Sequence, residues 1–409
     1  MFDLCLIELP NPALESPKMY MALGNLYLAA SALKAGYKTV IADFRESIGE
    51  IPKAEFYGFS CTTPQIDTAE QLVKKVRGKT IIGGAHPSLL PEDCMGKFDY
   101  IVRGEGEETL IDILKGKYNK NTIINAPRII DLDTIPYPAW DLVRDCFSTN
   151  LYTGERYGLG GKSVAVITSR GCPYRCAFCG NVLLKPVTFR SIDNVWHELL
   201  ELMKRGVTHF RFVDDNFTLH PQFPELCKKI EMLGVHYRCH TRSNLIDSKK
   251  AEMMKGSGCE ECSLGVESAD DRVLKINHKG ETVSQHAKAI RILQEGGLNP
   301  KIYWMSGLPG ETDETIELNM QFMRELKPTK WTLSTFTPYP GCDIYNNPQD
   351  YNIEITNHHW RTWWNFVFCH DKVLPNREGY NHVLLGQTQE EMEARHNKFY
   401  RFLREESWE

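Results

Sequence analysis

Three cysteines, Cys172, Cys176 and Cys179, stand in the run SRGCPYRCAFCGN with the spacing C-x3-C-x2-C. Their loop of Gly, Pro, Arg and Tyr has no apolar periodicity, which sets them apart from core cysteines. Thiolates in such a loop are ligands for zinc or for iron. A structural zinc site is four-coordinate and takes paired C-x2-C units or histidines, and no second pair lies close in sequence. Cys259 and Cys262, in GCEEC, sit at the start of a strand-like run, where small apolar side chains suit a packed core. A closed iron–sulfur cluster takes four cysteines. Three thiolates hold three corners of a [4Fe–4S] cube and leave the fourth iron for a non-protein ligand.

The elements that must position this loop follow a regular alternation. It begins after SVAVITS (163–169), the first of six strand-like runs. The others are HFRFVDDN (209–216), HYRCHTRSN (236–244), CSLGVES (262–268), KIYWMSGL (301–308) and KWTLSTFTP (330–338). Helical stretches at 191–205, 221–233, 247–256, 282–296 and 312–326 separate them. A closed barrel has eight such steps, so six predict a partial, open one. Polar residues recur at the C-terminal strand ends, where chemistry sits in parallel α/β folds.

Residues 1–115 alternate as well. FDLCLIEL, KTVIADF, AEFYGFS, KTIIGG and DYIVRG read as strands. ALGNLYLAASALKAG, which stops at Gly36, TPQIDTAEQLVKKVRG and EGEETLIDILKG read as helices. The expected fold class is α/β. A Rossmann-like doubly wound parallel sheet (1–125) and a linker (126–160) precede a partial (β/α)6 TIM-like barrel (161–340). A mostly helical C-terminal tail (341–409) covers the barrel.

Bulk properties exclude several classes. The formal net charge of −5 over 409 residues argues against general attraction to nucleic acid or anionic membranes. No run approaches the ~18 apolar residues of a membrane span. The N-terminus, MFDLCLIELPNPALES, lacks a secretory n-region. A cytoplasmic protein whose thirteen cysteines stay reduced is expected.

The cysteine motif after the first strand of a six-step barrel, with Phe178 before its last cysteine, resembles the radical S-adenosylmethionine (SAM) superfamily over residues 161–340. The resemblance implies that Cys172, Cys176 and Cys179 hold a [4Fe–4S] cluster whose open iron binds SAM. One-electron reduction, from a donor such as flavodoxin or ferredoxin, then cleaves SAM and starts radical chemistry on a small-molecule substrate. It further implies SAM contacts from Asp214, Asp215 and Asn216 after the second strand, although the usual glycine-rich form of that motif is absent. Further contacts are implied from Arg242, Ser243 and Asn244 after the third, Glu267 after the fourth, and Gly307 and Gly310 after the fifth. Taken singly, each of these also reads as a helix cap or tight turn.

The first domain, with SCTTPQ (60–65), GGAHPS (83–88) and RGEGEET (103–109) each following a strand, resembles the cobalamin-binding-like domain of one radical SAM subfamily. That implies cobalamin as a further cofactor, with Thr62, Thr63, Gln65, Gly83, Gly84, His86 and Gly104 as pocket residues. The D-x-H-x-x-G signature for a cobalt-ligating histidine is absent; IADFRESIG occupies that region. His86, a lone histidine after two glycines, reads better as a cap or packing residue.

With cobalamin, the implied reaction is methylation of an unactivated carbon. Without it, radical cyclisation, carbon–carbon coupling or rearrangement stands as the alternative. A methylthiotransferase would need a second cluster from Cys5, Cys61 and Cys94. A non-catalytic iron–sulfur or zinc module leaves six βα steps with polar ends unexplained. The tail aromatics His359, Trp360, Trp363, Trp364 and Phe366 read as packing, or else as the lining of a substrate pocket.

Overall fold

A computed structural model describes residues 1–12, 23–143, 162–180, 185–328, 330–363, 367–369 and 380–406. The chain forms two compact units. One comprises Met1–Val164, Leu183–Arg190 and His359–Trp364; the other comprises Ala165–Val182, Ser191–His358 and Asn365–Glu409.

The first unit is built on a six-stranded sheet: β1 (Phe2–Glu8), β2 (Thr39–Asp43), β3 (Ala54–Ser60), β4 (Lys79–Gly83), β5 (Tyr100–Arg103) and β6 (Thr122–Asn125). Its order is β2-β1-β3-β4-β5-β6, and the paired strands run parallel. Strands covered on both faces are expected to be continuously apolar, and Leu4, Cys5, Leu6 and Ile7 are all buried. Strand order reverses between β1 and β3, which makes their C-terminal ends the topological switch point. β6 lies in a polar run, NTIINAP, that carries no strand periodicity.

Cys5, Cys61 and Cys94 belong to this unit's apolar core. Burial pushes the Cys5 and Cys94 thiols up to about 12. They are therefore packing residues, which removes the ligands that a second cluster would need.

The tail aromatics divide in the same way. Trp363 is fully buried and meets Trp360 edge-on at 4.9 Å. Trp360 Nε1 donates to Asp93 at 3.0 Å, and its ring packs on this unit's core. Trp364 and Phe366 lie outside the described residues.

β7 (Lys162–Val166) is followed in the chain by two-residue strands β8 (Ser169–Arg170) and β9 (Thr188–Phe189). Then come β10 (Val207–Phe212), β11 (His236–Thr241), β12 (Cys259–Glu267), β13 (Asn299–Ser306) and β14 (Lys330–Thr335). The second sheet has the order β16-β14-β13-β12-β11-β10-β7, with β10 to β14 parallel. β16 (Val367–Cys369) pairs antiparallel with β14. β15 (Ile353–Ile355) and β17 (His382–Leu384) form a separate antiparallel pair.

Alternate residues of the parallel strands, such as Phe210, Phe212, Tyr237, Cys239, Cys262, Leu264, Ile302 and Trp304, are buried. Their neighbours Arg211, Arg238, His240 and Tyr303 are only half-buried. This is the period-two pattern of a sheet with one face under helices and one face open. Cys259 and Cys262 fall on the buried side, beside Cys239.

Four of the five intervening helices begin on side-chain caps; Phe223–Glu231 does not. Ser191, Asp247, Thr282 and Thr312 each accept from the backbone N–H three residues on. The tail helix Gln389–Glu405 opens on a Thr388–Glu391 capping box. One further short helix, Asp271–Ile276, follows β12 directly.

Candidate active site

The cysteine loop is held by backbone and side-chain bonds from the loops after several strands. Ala177 donates to the Asn277 carbonyl at 3.0 Å and accepts from Ile344 N–H at 3.2 Å. Asn277 in turn donates its side-chain amide to Pro309 O, beyond β13, at 2.9 Å. The three thiols emerge on this frame with graded exposure: Cys172 and Cys176 are half-buried and Cys179 is exposed. No disulfide joins the described cysteines.

Two amide or guanidinium donors reach the sulfurs from strand ends. Asn216 Nδ2, beyond β10, lies 3.2 Å from Cys172 Sγ. Arg242 Nη1, beyond β11, lies 3.3 Å from Cys176 Sγ. Such N–H···S bonds tune and orient a thiolate-bound metal centre. Burial pushes the Cys172 thiol up, and hydrogen bonds from Tyr174 N–H and Asn216 oppose it.

The donor set fits a three-thiolate cluster: one loop supplies all three sulfurs, and neighbouring donors are aimed at two of them. Cys342 does not complete a fourth corner. Its sulfur accepts from Tyr345 N–H at 3.3 Å, and burial holds its thiol protonated, up to about 12.

Asp214 does not face the open mouth. It is 2 % exposed, and one carboxylate oxygen accepts from Thr168 N–H, Thr168 Oγ1 and Ser169 Oγ at 2.9, 2.7 and 2.6 Å. Burial pushes its carboxyl up, and these bonds oppose that. Asp214 therefore ties the end of β10 to the entry of the cysteine loop, where Gly171 adopts a φ of 97°.

Replacing it by alanine leaves three buried donors without their acceptor, each costing about 1–3 kcal/mol. Asp214→Ala will lower the iron retained after cluster reconstitution, and Asp214→Asn, which keeps the accepting oxygen, will restore it. Iron and acid-labile sulfide assays check this. Asp215, next in the chain, is exposed.

Arg242 is the hub of a buried charge row. Its guanidinium lies 3.8 Å from the Tyr174 ring centroid and pairs with Glu281 at 3.0 Å. It also donates to Lys279 O and, at 3.4 Å, to Asn244 Oδ1. Glu281 continues to Lys279 at 3.5 Å, and Lys279 to Glu267 at 3.3 Å. The row alternates in sign, the arrangement that makes burial of charge tolerable. Burial still pushes the Glu267 carboxyl up, chiefly opposed by Lys279.

Glu267 sits in the left-handed region, φ 66°, at a shift in the β12–β13 register. The register shift re-aims its carboxylate toward Lys279. A Cβ on Gly265 would stand 2.4 Å from Glu267 Oε1, so glycine there makes room for the pair. Phe178, half-buried, lies 5.9 Å from Lys279 Nζ.

The remaining barrel residues are occupied by the scaffold. Ser243 is buried and bonds His286 Nδ1 at 2.7 Å. Asn244 is exposed, and its N–H donates to Glu281 at 2.9 Å. At Gly307, φ 82°, a Cβ would meet Tyr380 at 2.5 Å; at Gly310 it would meet Ile276 at 2.6 Å. Those glycines make room for the Tyr380 and Ile276 side chains. Lys279 and Glu281, both in the polar loop NHKGET, complete the charge row, although sequence reading passed them over. The signal for them is an acid–base pair two residues apart in the loop after the short helix Asp271–Ile276.

In the first unit the candidates split into surface and scaffold. Thr63, Gln65 and His86 are buried. Gln65 donates to Leu9 O at 3.2 Å and accepts from Thr62 N–H at 3.0 Å, which ties together the two ends of the switch point. His86 is wholly buried. It lies 3.4 Å from Thr63 Oγ1 and is edge-on to Trp360, and burial lowers its pKa to about 4. It packs as a neutral side chain inside this unit.

Thr62 is exposed, and Gly83, Gly84 and Gly104 are half-exposed at the ends of neighbouring strands. Gly84, φ 98°, packs against Cys61: a Cβ would lie 2.7 Å from the Cys61 carbonyl. A surface of bare backbone after β4 and β5, on the strand ends next to the switch point, suits a flat, polar-edged ligand.

Comparison with known proteins agrees with this division. The radical SAM superfamily model matches residues 166–323, and the B12 binding domain model matches residues 15–114. An uncharacterized methyltransferase of Pyrococcus horikoshii is 31% identical over 380 residues, covering 83% of this chain and 81% of that protein. The anaerobic magnesium-protoporphyrin IX monomethyl ester cyclase of Rubrivivax gelatinosus is 27% identical over 80% of this chain and 66% of its own. A radical SAM methyltransferase from Kitasatospora setae, solved with cobalamin and a [4Fe–4S] cluster, superposes with a TM-score of 0.66. It shares 17% identity over 88% of this chain and 78% of its own.

The chain belongs to the radical SAM superfamily, in the branch that carries a B12-binding domain ahead of the barrel. It is accordingly a radical SAM enzyme, of the superfamily that uses a [4Fe–4S] cluster and SAM, and it carries a B12-binding domain. No helix among the described residues is long and apolar enough to cross a membrane.

Proposed function

We propose that this enzyme transfers a methyl group to an unactivated carbon of a small molecule. The observation that carries the reading is the coexistence of two built sites in one chain. One is a three-thiol loop with N–H donors on two sulfurs. The other is a stretch of bare backbone after β4 and β5, beside the switch point, in a domain that matches the B12-binding model. The Pyrococcus relative, described as a methyltransferase, supports the same reading. When bound, the cluster with SAM supplies hydrogen-atom abstraction, and cobalamin supplies methyl carriage.

The chain's own residues position these groups. Cys172, Cys176 and Cys179 hold the cluster. Asn216 and Arg242 orient two of the sulfurs, and Asp214 fixes the loop's entry. Asp215 and Asn244, the exposed polar strand-end residues, are the ones open to SAM. Thr62, Gly83, Gly84 and Gly104 present the surface for cobalamin, with Gln65 and His86 stiffening it from behind. The charge row from Arg242 to Glu267 holds its side chains fixed and excludes water. An electron donor such as flavodoxin or ferredoxin supplies the reducing electron, in a reducing compartment such as the cytoplasm.

Protein produced in cobalamin-fed cells will carry bound cobalamin, visible in its absorption spectrum. Each methyl transferred will yield one 5′-deoxyadenosine and one S-adenosylhomocysteine. Absence of tight cobalamin binding would move the reading to radical cyclisation, the second reading, which the 27% identity to the Rubrivivax cyclase favours.

A further inference from the structure

At the N-terminal ends of β10, β11 and β12, the opposite end of the strands from the cysteine loop, lie His209, His236 and Glu260. One ligand atom from each falls within 4.8 Å of the other two. His209 and His236 are direct register partners on adjacent parallel strands, and their rings stack at 5.1 Å with 20° between planes. His236 Nδ1 is 2.9 Å from Glu260 Oε1.

Strand register explains how a carboxylate joins them. Tyr237 pairs with Cys259 and Arg238 with Glu261, so Glu260 is the extra residue of a bulge. Bulges recur where a side chain must be re-aimed. Without this one, Glu260 would not share a side with the two imidazoles.

We infer that His209, His236 and Glu260 form a divalent transition-metal site, with zinc as the fitting ion. His209 is 3 % exposed, yet its Nε2 has no hydrogen-bond partner. A buried imidazole nitrogen left unpaired costs free energy unless something ligates it. Its other nitrogen, Nδ1, is 2.8 Å from Thr208 Oγ1. With Nδ1–H donating to that hydroxyl, Nε2 presents its lone pair, the arrangement in which a histidine ligand is held by a second hydrogen bond.

Two imidazoles and a carboxylate are a recurrent zinc donor set, with ligand atoms at 2.0–2.2 Å and hence about 3.3 Å apart in a tetrahedron. His236 and Glu260 stand on the rim, with side chains 44% and 21% exposed. Their rotation closes the distance while His209 stays fixed. The ion would cross-link three neighbouring strands of a barrel that does not close on itself.

The test uses the cluster-reconstituted enzyme, equilibrated with zinc sulfate, gel-filtered and assayed for zinc and iron by mass spectrometry. Wild type will take up about one zinc per chain with no loss of iron, and zinc will raise its melting temperature. His236→Ala and Glu260→Gln, both at the rim, will each weaken zinc binding by at least about tenfold, no less than the loss that follows removal of an outer-shell partner of a ligand. Their iron content and reductive SAM cleavage will match wild type. The inference is overturned if wild type takes up no zinc, if zinc enters at the expense of iron, or if either variant binds zinc as wild type does. None of these outcomes bears on the proposed methyl transfer, which is read from cobalamin and SAM products.

Discussion

Cys176→Ala will reduce cleavage of SAM by at least ~10³-fold, the scale on which one member of an interdependent catalytic group fails. Cys176 stands between the other two ligands, and its sulfur receives the Arg242 guanidinium at 3.3 Å. Removing it takes away one of the three proposed cluster ligands and the sulfur that accepts from Arg242, which keeps Glu281, Lys279 O and Asn244 as partners. Anaerobically reconstituted Cys176→Ala should hold little iron, and 5′-deoxyadenosine should fall to background by chromatography. Wild-type rates in this variant would remove the catalytic assignment of the loop. Its neighbour sharpens the test. Arg242→Met removes a positive charge and an N–H···S bond, so the cluster it leaves behind will have a more negative reduction potential, measured by redox titration.

Glu281→Gln is expected to be the most damaging single change outside the cysteines. The Glu281 side chain is fully buried and faces two cations, Arg242 at 3.0 Å and Lys279 at 3.5 Å. Glutamine keeps an oxygen for the Asn244 N–H and removes the charge. Breaking a buried ion pair from one side costs about 3–5 kcal/mol, because the partner charge stays buried without compensation. With 1 kcal/mol equal to a few degrees in a domain of this size, the melting temperature should drop on the order of 10 °C.

Restoring neutrality separates charge from packing. Glu281→Gln combined with Arg242→Met should recover part of the loss, because the cation left stranded is gone while Lys279 keeps its pairing with Glu267. A double variant no more stable than the single would show that the row's charges are not what matters.

The barrel and its cysteine loop were legible because both signals are local. C-x3-C-x2-C is a spacing, and six apolar runs separated by amphipathic stretches are a periodicity. Strand β3 was read as AEFYGFS, the span Ala54–Ser60 that the chain adopts. Direction was not legible. VDDN gives two aspartates and an asparagine at a strand end, and nothing local says that Asp214 turns back to Thr168 while Asn216 turns to Cys172. That choice is made by hydroxyls 46 residues upstream in sequence.

What surrounds the glycines was not legible either: the side of Gly307 where a Cβ would stand is filled by Tyr380, which lies far along the chain. The charge row was missed because Lys279 and Glu281 acquire meaning only when β11 and β12 lie side by side. β6 was missed because Thr122–Asn125 holds only two strongly apolar residues, and pairing with β5 rather than propensity makes it a strand.

One feature of the fifth barrel strand bears on how the enzyme is made. Ser306 Oγ bonds His396 Nδ1 at 2.7 Å and Tyr380 OH at 3.1 Å, and the Gly307 carbonyl accepts from His382 at 2.8 Å. These partners lie 74 to 90 residues further along the chain. Synthesis runs at roughly 5–20 residues per second, so the strand's end waits several seconds on the ribosome for the groups that satisfy it. During that interval the barrel is translated but unfinished, and the rim beside the cysteine loop stands open. A chain cut near residue 340 would lack these partners and leave the buried end of the strand unpaired.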